Sequence, residues 1–258
     1  MASILGQTHR DLTCLVVNDG DDPAPLRAAL DGIDDGRLVV VDLPHNRGRY
    51  FVDAVTAQAC LTEWWVPHDA DDASEPHRIE ALLAAAEQGT DAVFSPFTNH
   101  REDGRVEHRA IRGRTPDRRM RYTAHLSQLW RTSAARRLTH PGYRVAYDAV
   151  MTTAALYYGH VVIHGEPSYH RIRQPESLVT SVATGRGSPH RRETRQKLKR
   201  LWRRIDTGSS TLDDAGRWIH ADTDPGLVAE VDEQAARLRE TLLGGVGDRV
   251  REQRDRVG

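Results

Sequence analysis

Residues 63–89 read EWWVPHDADDASEPHRIEALLAAAEQG, and the order of elements in that one stretch decides the fold class. EWWVP (63–67) has the bulky composition of a strand, and HDADD follows it as an acidic loop. The spacing then predicts a helix over 74–88. Ser74 is its N-cap, Pro76 lies in its first turn, Ile79, Leu82, Leu83 and Ala86 form one apolar stripe, and Gly89 stops it. Strand, polar loop and helix in that order form the repeating unit of an α/β protein, whose helical crossovers join strands of one sheet.

The same unit recurs on both sides. Upstream, 12–17 (LTCLVV) and 37–43 (RLVVVDL) are continuous apolar runs of the kind buried on both faces, with a turn at Asn18, Asp19, Gly20 and Asp21 between them. Helices are expected over 25–30 and 50–61. Downstream, 91–97 (DAVFSPF) is a strand shortened by Pro96, and Glu102, Asp103 and Gly104 centre a hairpin-type turn in the arginine-rich stretch 98–121. Strands near 127–131, 160–164 and 168–173 and helices ending at Leu138 and over 149–158 follow, and the last quarter is helical, over 193–205 and 226–243. The expectation is an α/β fold with a mostly parallel sheet flanked by helices, occupying residues 1–182, and a helical C-terminal extension, 183–258, packed on it.

Composition narrows the function. The 258 residues are 38% hydrophobic and carry 36 basic against 37 acidic side chains, which excludes a disordered chain and argues against a generic nucleic-acid binder. Cys14 and Cys60 each lie in an apolar stretch, as reduced thiols of a cytoplasmic protein do. The amino terminus, MASILGQTHRD, has neither the basic flank nor the apolar core of a signal peptide, and no window is apolar enough to span a membrane.

In parallel α/β sheets ligands bind beyond the carboxyl ends of the strands. Three polar loops lie at that edge: Asn18–Asp19–Gly20, Asn46–Arg47–Gly48–Arg49 and His68–Asp69–Ala70–Asp71–Asp72. In extended backbone Asp69 and Asp71 face the same way and Asp72 points elsewhere. Two hard oxygen donors with open remaining positions suit Mg2+ or Mn2+ shared with a substrate phosphate.

The segments QTHRDLTCLVVNDGDD, HNRGRYFVDAV, WWVPHDADDASEPHRIEALLAAA, YRVAYDAVM and SYHRIRQPESL, in that order over residues 3–181, resemble the family 2 glycosyltransferases of the GT-A fold. The resemblance implies an inverting transfer of a sugar from a nucleoside-diphosphate donor to a glycan, lipid-linked or small-molecule acceptor. It assigns Asp19 to the donor's base, Asp69 and Asp71 to a DxD site holding the metal against the diphosphate, and Arg49, in the loop with Asn46, to the nucleotide. Asp148 matches the general base, and His170 a late polar residue that approaches the metal or diphosphate. Each also has a plainer structural reading: Asp148 as a helix cap, Asp19 as a turn residue, Arg49 as a surface side chain, His170 as a hydrogen-bonded strand histidine.

The chain departs from the family pattern in starting only a few residues before Gln7, without the family's first strand and most of its first helix, which predicts unpaired strand edges in the sheet. Asn18 also stands where the family often has Asp. Two other readings fit the same residues: a non-catalytic GT-A-like scaffold, and a metal-dependent nucleotidyltransferase or phosphoesterase. Finally, 193–205 (ETRQKLKRLWRRI) places Leu198, Leu201, Trp202 and Ile205 on one helical face and basic residues around the other. Such a helix either rests on an anionic membrane at its inner face or packs its apolar stripe on the domain.

Overall fold

The computed structural model describes residues 1–110, 125–173, 187–205 and 211–257. The boundary expected at residue 182 and the end of the SYHRIRQPESL segment lie outside the described residues. A short helix, α1 (Ala2–Leu5), opens the chain, followed by β1 (Cys14–Asn18), α2 (Pro23–Leu30) and β2 (Leu38–Asp42). Asp22 caps α2, its carboxylate accepting from the Ala24 N–H at 3.0 Å. Next come α3 (Arg49–Ala59), β3 (Trp64–Trp65), β4 (Ala73–Ser74), α4 (Arg78–Ala85), β5 (Ala92–Phe94) and β6 (Phe97–His100). The chain continues through β7 (Val106–Arg109), β8 (Gln128–Arg131), α5 (Thr132–Leu138), α6 (Asp148–Tyr158), β9 (Val161–Ile163) and β10 (Tyr169–Ile172). Three C-terminal helices, α7 (Pro189–Ile205), α8 (Leu212–His220) and α9 (Pro225–Val257), complete it.

Among the described residues the strands form one parallel pair and two mixed sheets. β1 and β2 pair in parallel, Cys14 opposite Leu38 through Asn18 opposite Asp42, and among the described residues no strand pairs with the second edge of β1. The other orders are β3–β8–β5–β9 and β4–β10–β6–β7. β8 runs antiparallel to both β3 and β5, β9 parallel to β5, and β10 parallel to β6. The strand expected over 91–97 breaks at Ser95 and Pro96, and its two halves join different sheets; proline's missing N–H ends the first ladder there. Trp65, Phe94 and Trp130 lie in the main core with Tyr147 and Met151 of the α6 region, while Leu43, Phe51 and Val55 form a second core with α9. Trp64 remains half-buried under the Arg131 guanidinium, 4.7 Å from the ring centre.

One correction concerns Ser74. It is not the N-cap of a helix over 74–88: it lies in β4, opposite Tyr169 of β10, and α4 begins only at Arg78. Burial of the Ser74 hydroxyl in a ladder, where it accepts from Arg78 Nη1 at 3.1 Å, outweighs its capping propensity.

The apolar stripe of α7 packs inward on α6, with Leu201 1% exposed and Leu198 against the main core; the side chains at 202 and 205 lie outside those described. α8, opened by a Thr211–Asp214 capping box, packs on α5, and α9 lies along α3. At this junction His140 accepts the Gly142 N–H at Nδ1 (3.0 Å), so its proton sits on Nε2 toward the Thr223 hydroxyl (2.8 Å). Its ring stacks on His220 at 5.2 Å, with Tyr143, Tyr147 and the Lys197–Asp222 pair around it. Burial pushes the His140 imidazole down to about 3. The unfolded chain, with histidine near 6.5, therefore takes up the proton first. The stability this group contributes is complete above about pH 6.5 and falls by about 1.4 kcal/mol per pH unit as the pH drops toward 3. His68 and His220 are lowered in the same direction, so chemical denaturation of the parent chain below about pH 6.5 should show a slope steeper than one group's share, and a His140→Gln variant should show it reduced.

Candidate active site

The acidic loop after β3 is a tight turn rather than extended backbone, closed by the Asp72 N–H donating to the Asp69 carbonyl at 3.2 Å. Turning, not alternation, brings the carboxylates together: one oxygen from each of Asp69, Asp71 and Asp72 lies within 4.8 Å of the others. The three are not equivalent. Asp72 is buried, its Oδ2 accepting from the Tyr169 hydroxyl and its Oδ1 from the Ile172 N–H at 2.8 Å. Burial raises its carboxyl above the ordinary range, against the pull of those two bonds. Asp69 is half-buried and paired with Arg49, whereas Asp71 is exposed and bonded to no described side chain.

A buried polar assembly supports the turn. His68 donates from Nδ1 to the Asp69 carbonyl (2.7 Å) and faces the Ser74 hydroxyl with Nε2 (3.1 Å), and burial pushes its imidazole down to about 3. Behind it Arg78, fully buried, bonds Ser74 and the Leu126 carbonyl, and its guanidinium lies 4.8 Å from the Tyr169 ring centre. Burial lowers Arg78 to about 10 and raises the Tyr169 phenol, so the pair Tyr169–Asp72 holds its proton.

The first turn of α3 reaches two ways. Arg49 pairs with Asp53 (3.2 Å) and with Asp69; burial opposes its charge, but the Asp53 carboxylate together with the Tyr50 and Tyr169 phenols outweighs that and holds it above its ordinary value. The next residue, Tyr50, donates from its hydroxyl to Asp148 Oδ1 at 3.1 Å and accepts the Asp148 N–H at 3.4 Å. Burial, with Asp148 adding to it, keeps that phenol protonated. Asp148 sits in the first turn of α6, two residues after Ala146, which holds φ 60°. Left-handed alanine costs on the order of 1 kcal/mol, and it aims the chain into the turn that carries Asp148.

The remaining expected residues are Asp19, Asn46 and His170. Asp19 accepts the Arg47 and Gly48 N–H groups, at 3.0 and 2.7 Å, and so clamps the loop that carries Asn46, which is exposed and bonded to no described residue. His170 does not join the acidic cluster: Nδ1 meets His100 at 3.0 Å and Nε2 meets Glu75 at 2.7 Å. The first two loops touch at Gly20, φ 76°, where an added Cβ would lie 2.3 Å from the His45 carbonyl carbon and 2.4 Å from the Asn46 nitrogen. Gly20→Ala should therefore cost roughly 2–5 kcal/mol from left-handed strain plus backbone overlap. Gly32→Ala, with φ 78° and open space, should lose only the strain, about 1–2 kcal/mol. Equal urea midpoints for the two variants would contradict the contact.

With that geometry in view, the comparison with known proteins is direct. The family model for glycosyl transferase family 2 matches residues 1–146, more than half of the chain. The chain belongs to glycosyl transferase family 2. Its architecture is shared with TarS of S. aureus: a crystal structure of TarS 1–349 gives a TM-score of 0.56 at 13% identity, covering 94% of this chain and 86% of that one. A longer TarS structure gives 0.50 at 15% identity, with 94% of this chain matching 50% of that one. No curated protein matches the chain.

For a family 2 glycosyltransferase the donor set is apt for a divalent cation. The exposed Asp71 and the Asp69 oxygen not held by Arg49 offer hard carboxylate donors, while Asp72 spends both of its oxygens on Tyr169 and Ile172. Tyr50, Arg78 and Tyr169 had no signal in spacing, since their partners lie 98, 48 and 97 residues away along the chain.

Proposed function

We propose that this family 2 glycosyltransferase is a metal-dependent inverting enzyme that moves a sugar from a nucleoside-diphosphate donor to a hydroxyl of a glycan, lipid-linked or small-molecule acceptor in the cytoplasm. One observation carries the reading: consecutive residues of one helical turn, Arg49 and Tyr50, hold Asp69 of the acidic cluster on one side and Asp148 on the other. A donor diphosphate at the cluster and an acceptor hydroxyl at Asp148 then flank the same turn.

Asp148 is the general base. Tyr50 occupies Oδ1, leaving Oδ2 free of described partners to take the proton from the acceptor hydroxyl as the new glycosidic bond forms. The acceptor attacks the face opposite the leaving diphosphate, which inverts the anomeric centre. Asp69 and Asp71 would hold Mg2+ or Mn2+, whose charge, when bound, would offset what builds on the leaving diphosphate. Arg49, freed from Asp69, binds the diphosphate, and the Asp19-clamped loop, with Asn46 at its tip, faces the nucleotide. His170, tied to Glu75 and His100, supports this side of the site through β10.

Thermal-shift measurements against UDP, GDP and dTDP, with and without Mn2+, test the reading. The expected result is stabilisation by one nucleotide that requires the metal and amounts to several degrees at saturation. Stabilisation by none would favour a non-catalytic scaffold, and release of phosphate or pyrophosphate instead of nucleoside diphosphate would favour a phosphoesterase or nucleotidyltransferase.

A further inference from the structure

We infer that the outward face of α7 is a docking surface for an anionic phospholipid bilayer. The near-balance of charge over the chain, net -1, hides a strong concentration: Pro189–Ile205 carries eight Lys or Arg residues against the single acid Glu193. The rest of the chain is therefore net acidic, and α7 is its cationic pole.

The helix is divided cleanly. Thr194, Lys197 and Leu201, at i, i+3 and i+7, are buried against the domain, and Lys197 is neutralised by Asp222 at 2.5 Å. At 100° per residue the opposite side carries Arg192, Arg195, Lys199 and Arg203, all exposed, with exposed Arg200 at its flank. None of the four is ion-paired with a described residue; Arg192 alone makes a hydrogen bond, to the Gly187 carbonyl. They form a straight row about 16 Å long.

A row of this kind on a convex rod presents its charges to a plane at one depth, as basic helices do to anionic headgroups. Leu198 and Leu201 pack inward and are not available to insert between lipids, so the described side chains of the outward face offer an electrostatic contact. It follows that binding is released by salt, within the short screening length of physiological buffer.

Sedimentation of the full chain with mixed phosphatidylcholine–phosphatidylglycerol vesicles, and with phosphatidylcholine alone, tests this. The chain is expected on the mixed vesicles only, and to leave them as salt is raised. Each basic residue near such a surface is worth about fivefold in partition, so the combined Arg192→Gln, Arg195→Gln, Lys199→Gln and Arg203→Gln variant should lose a few hundredfold, with no change in melting temperature. A variant with Lys at 192, 195 and 203 keeps the charge and should bind as the parent does. The inference is overturned if the parent chain ignores the mixed vesicles, binds pure phosphatidylcholine equally well, or resists salt. It is also overturned if the neutralised variant still binds, or if a short RNA holds the chain more tightly than the anionic vesicles do.

Discussion

The Asp148→Asn variant is expected to bind its nucleoside diphosphate and Mn2+ as the parent chain does, and to transfer sugar roughly 10²–10⁴-fold more slowly. The substitution is nearly isosteric. An asparagine oxygen still accepts from the Tyr50 hydroxyl, so the first turn of α6 keeps its place. What disappears is the second oxygen's ability to take a proton, and with it the activation of a hydroxyl that is a poor nucleophile at neutral pH. Turnover measured beside nucleotide-induced thermal stabilisation separates the two effects. Loss of donor binding equal to the loss of transfer would contradict the role of Asp148.

The complementary result is expected at Asp71. Because Asp71 is exposed and bonded to no described side chain, Asp71→Asn should leave the melting temperature of the free protein unchanged. It removes the one carboxylate of the cluster with no described partner, so the metal-dependent stabilisation by nucleotide should vanish, and transfer with it. The neighbouring Asp72→Ala provides the contrast. There the Tyr169 hydroxyl and the Ile172 N–H lose their acceptor inside the protein, at a cost on the order of 1–3 kcal/mol for each orphaned group. Asp72→Ala should thus destabilise the fold without any ligand present. If Asp71→Asn destabilised the free protein and Asp72→Ala did not, the division between ligand and structural carboxylates would be reversed.

The acidic turn shows how far local reading carries. Its composition supplies a cluster of hard oxygen donors, but alternation along a strand was the wrong geometry: the Asp69–Asp72 turn brings the third carboxylate in as well, and Tyr169 then claims it. Ser74 makes the same point, since a two-residue ladder with β10 captured a residue whose own propensity was to cap a helix. β8 read correctly as a strand, yet nothing local said that it would run antiparallel between β3 and β5. The Thr211–Asp214 box is a local signal for the start of α8.

What the sequence determined by itself is the set of properties with short-range causes. These are the alternation of strands and helices, the three polar loops that end β1, β2 and β3, the hairpin turn at Gly104, and the two-faced character of α7. Each follows from side-chain spacing within one or two turns of chain. The tertiary structure alone decided which carboxylate has no described partner, that Arg49 and Tyr50 tie Asp69 to Asp148, that His170 is held by Glu75 and His100, and that α7 spends Leu198 and Leu201 on the domain. Those outcomes depend on partners tens of residues away, and a buried polar group must take whichever partner the fold delivers, because leaving it unpaired costs more than any local preference returns.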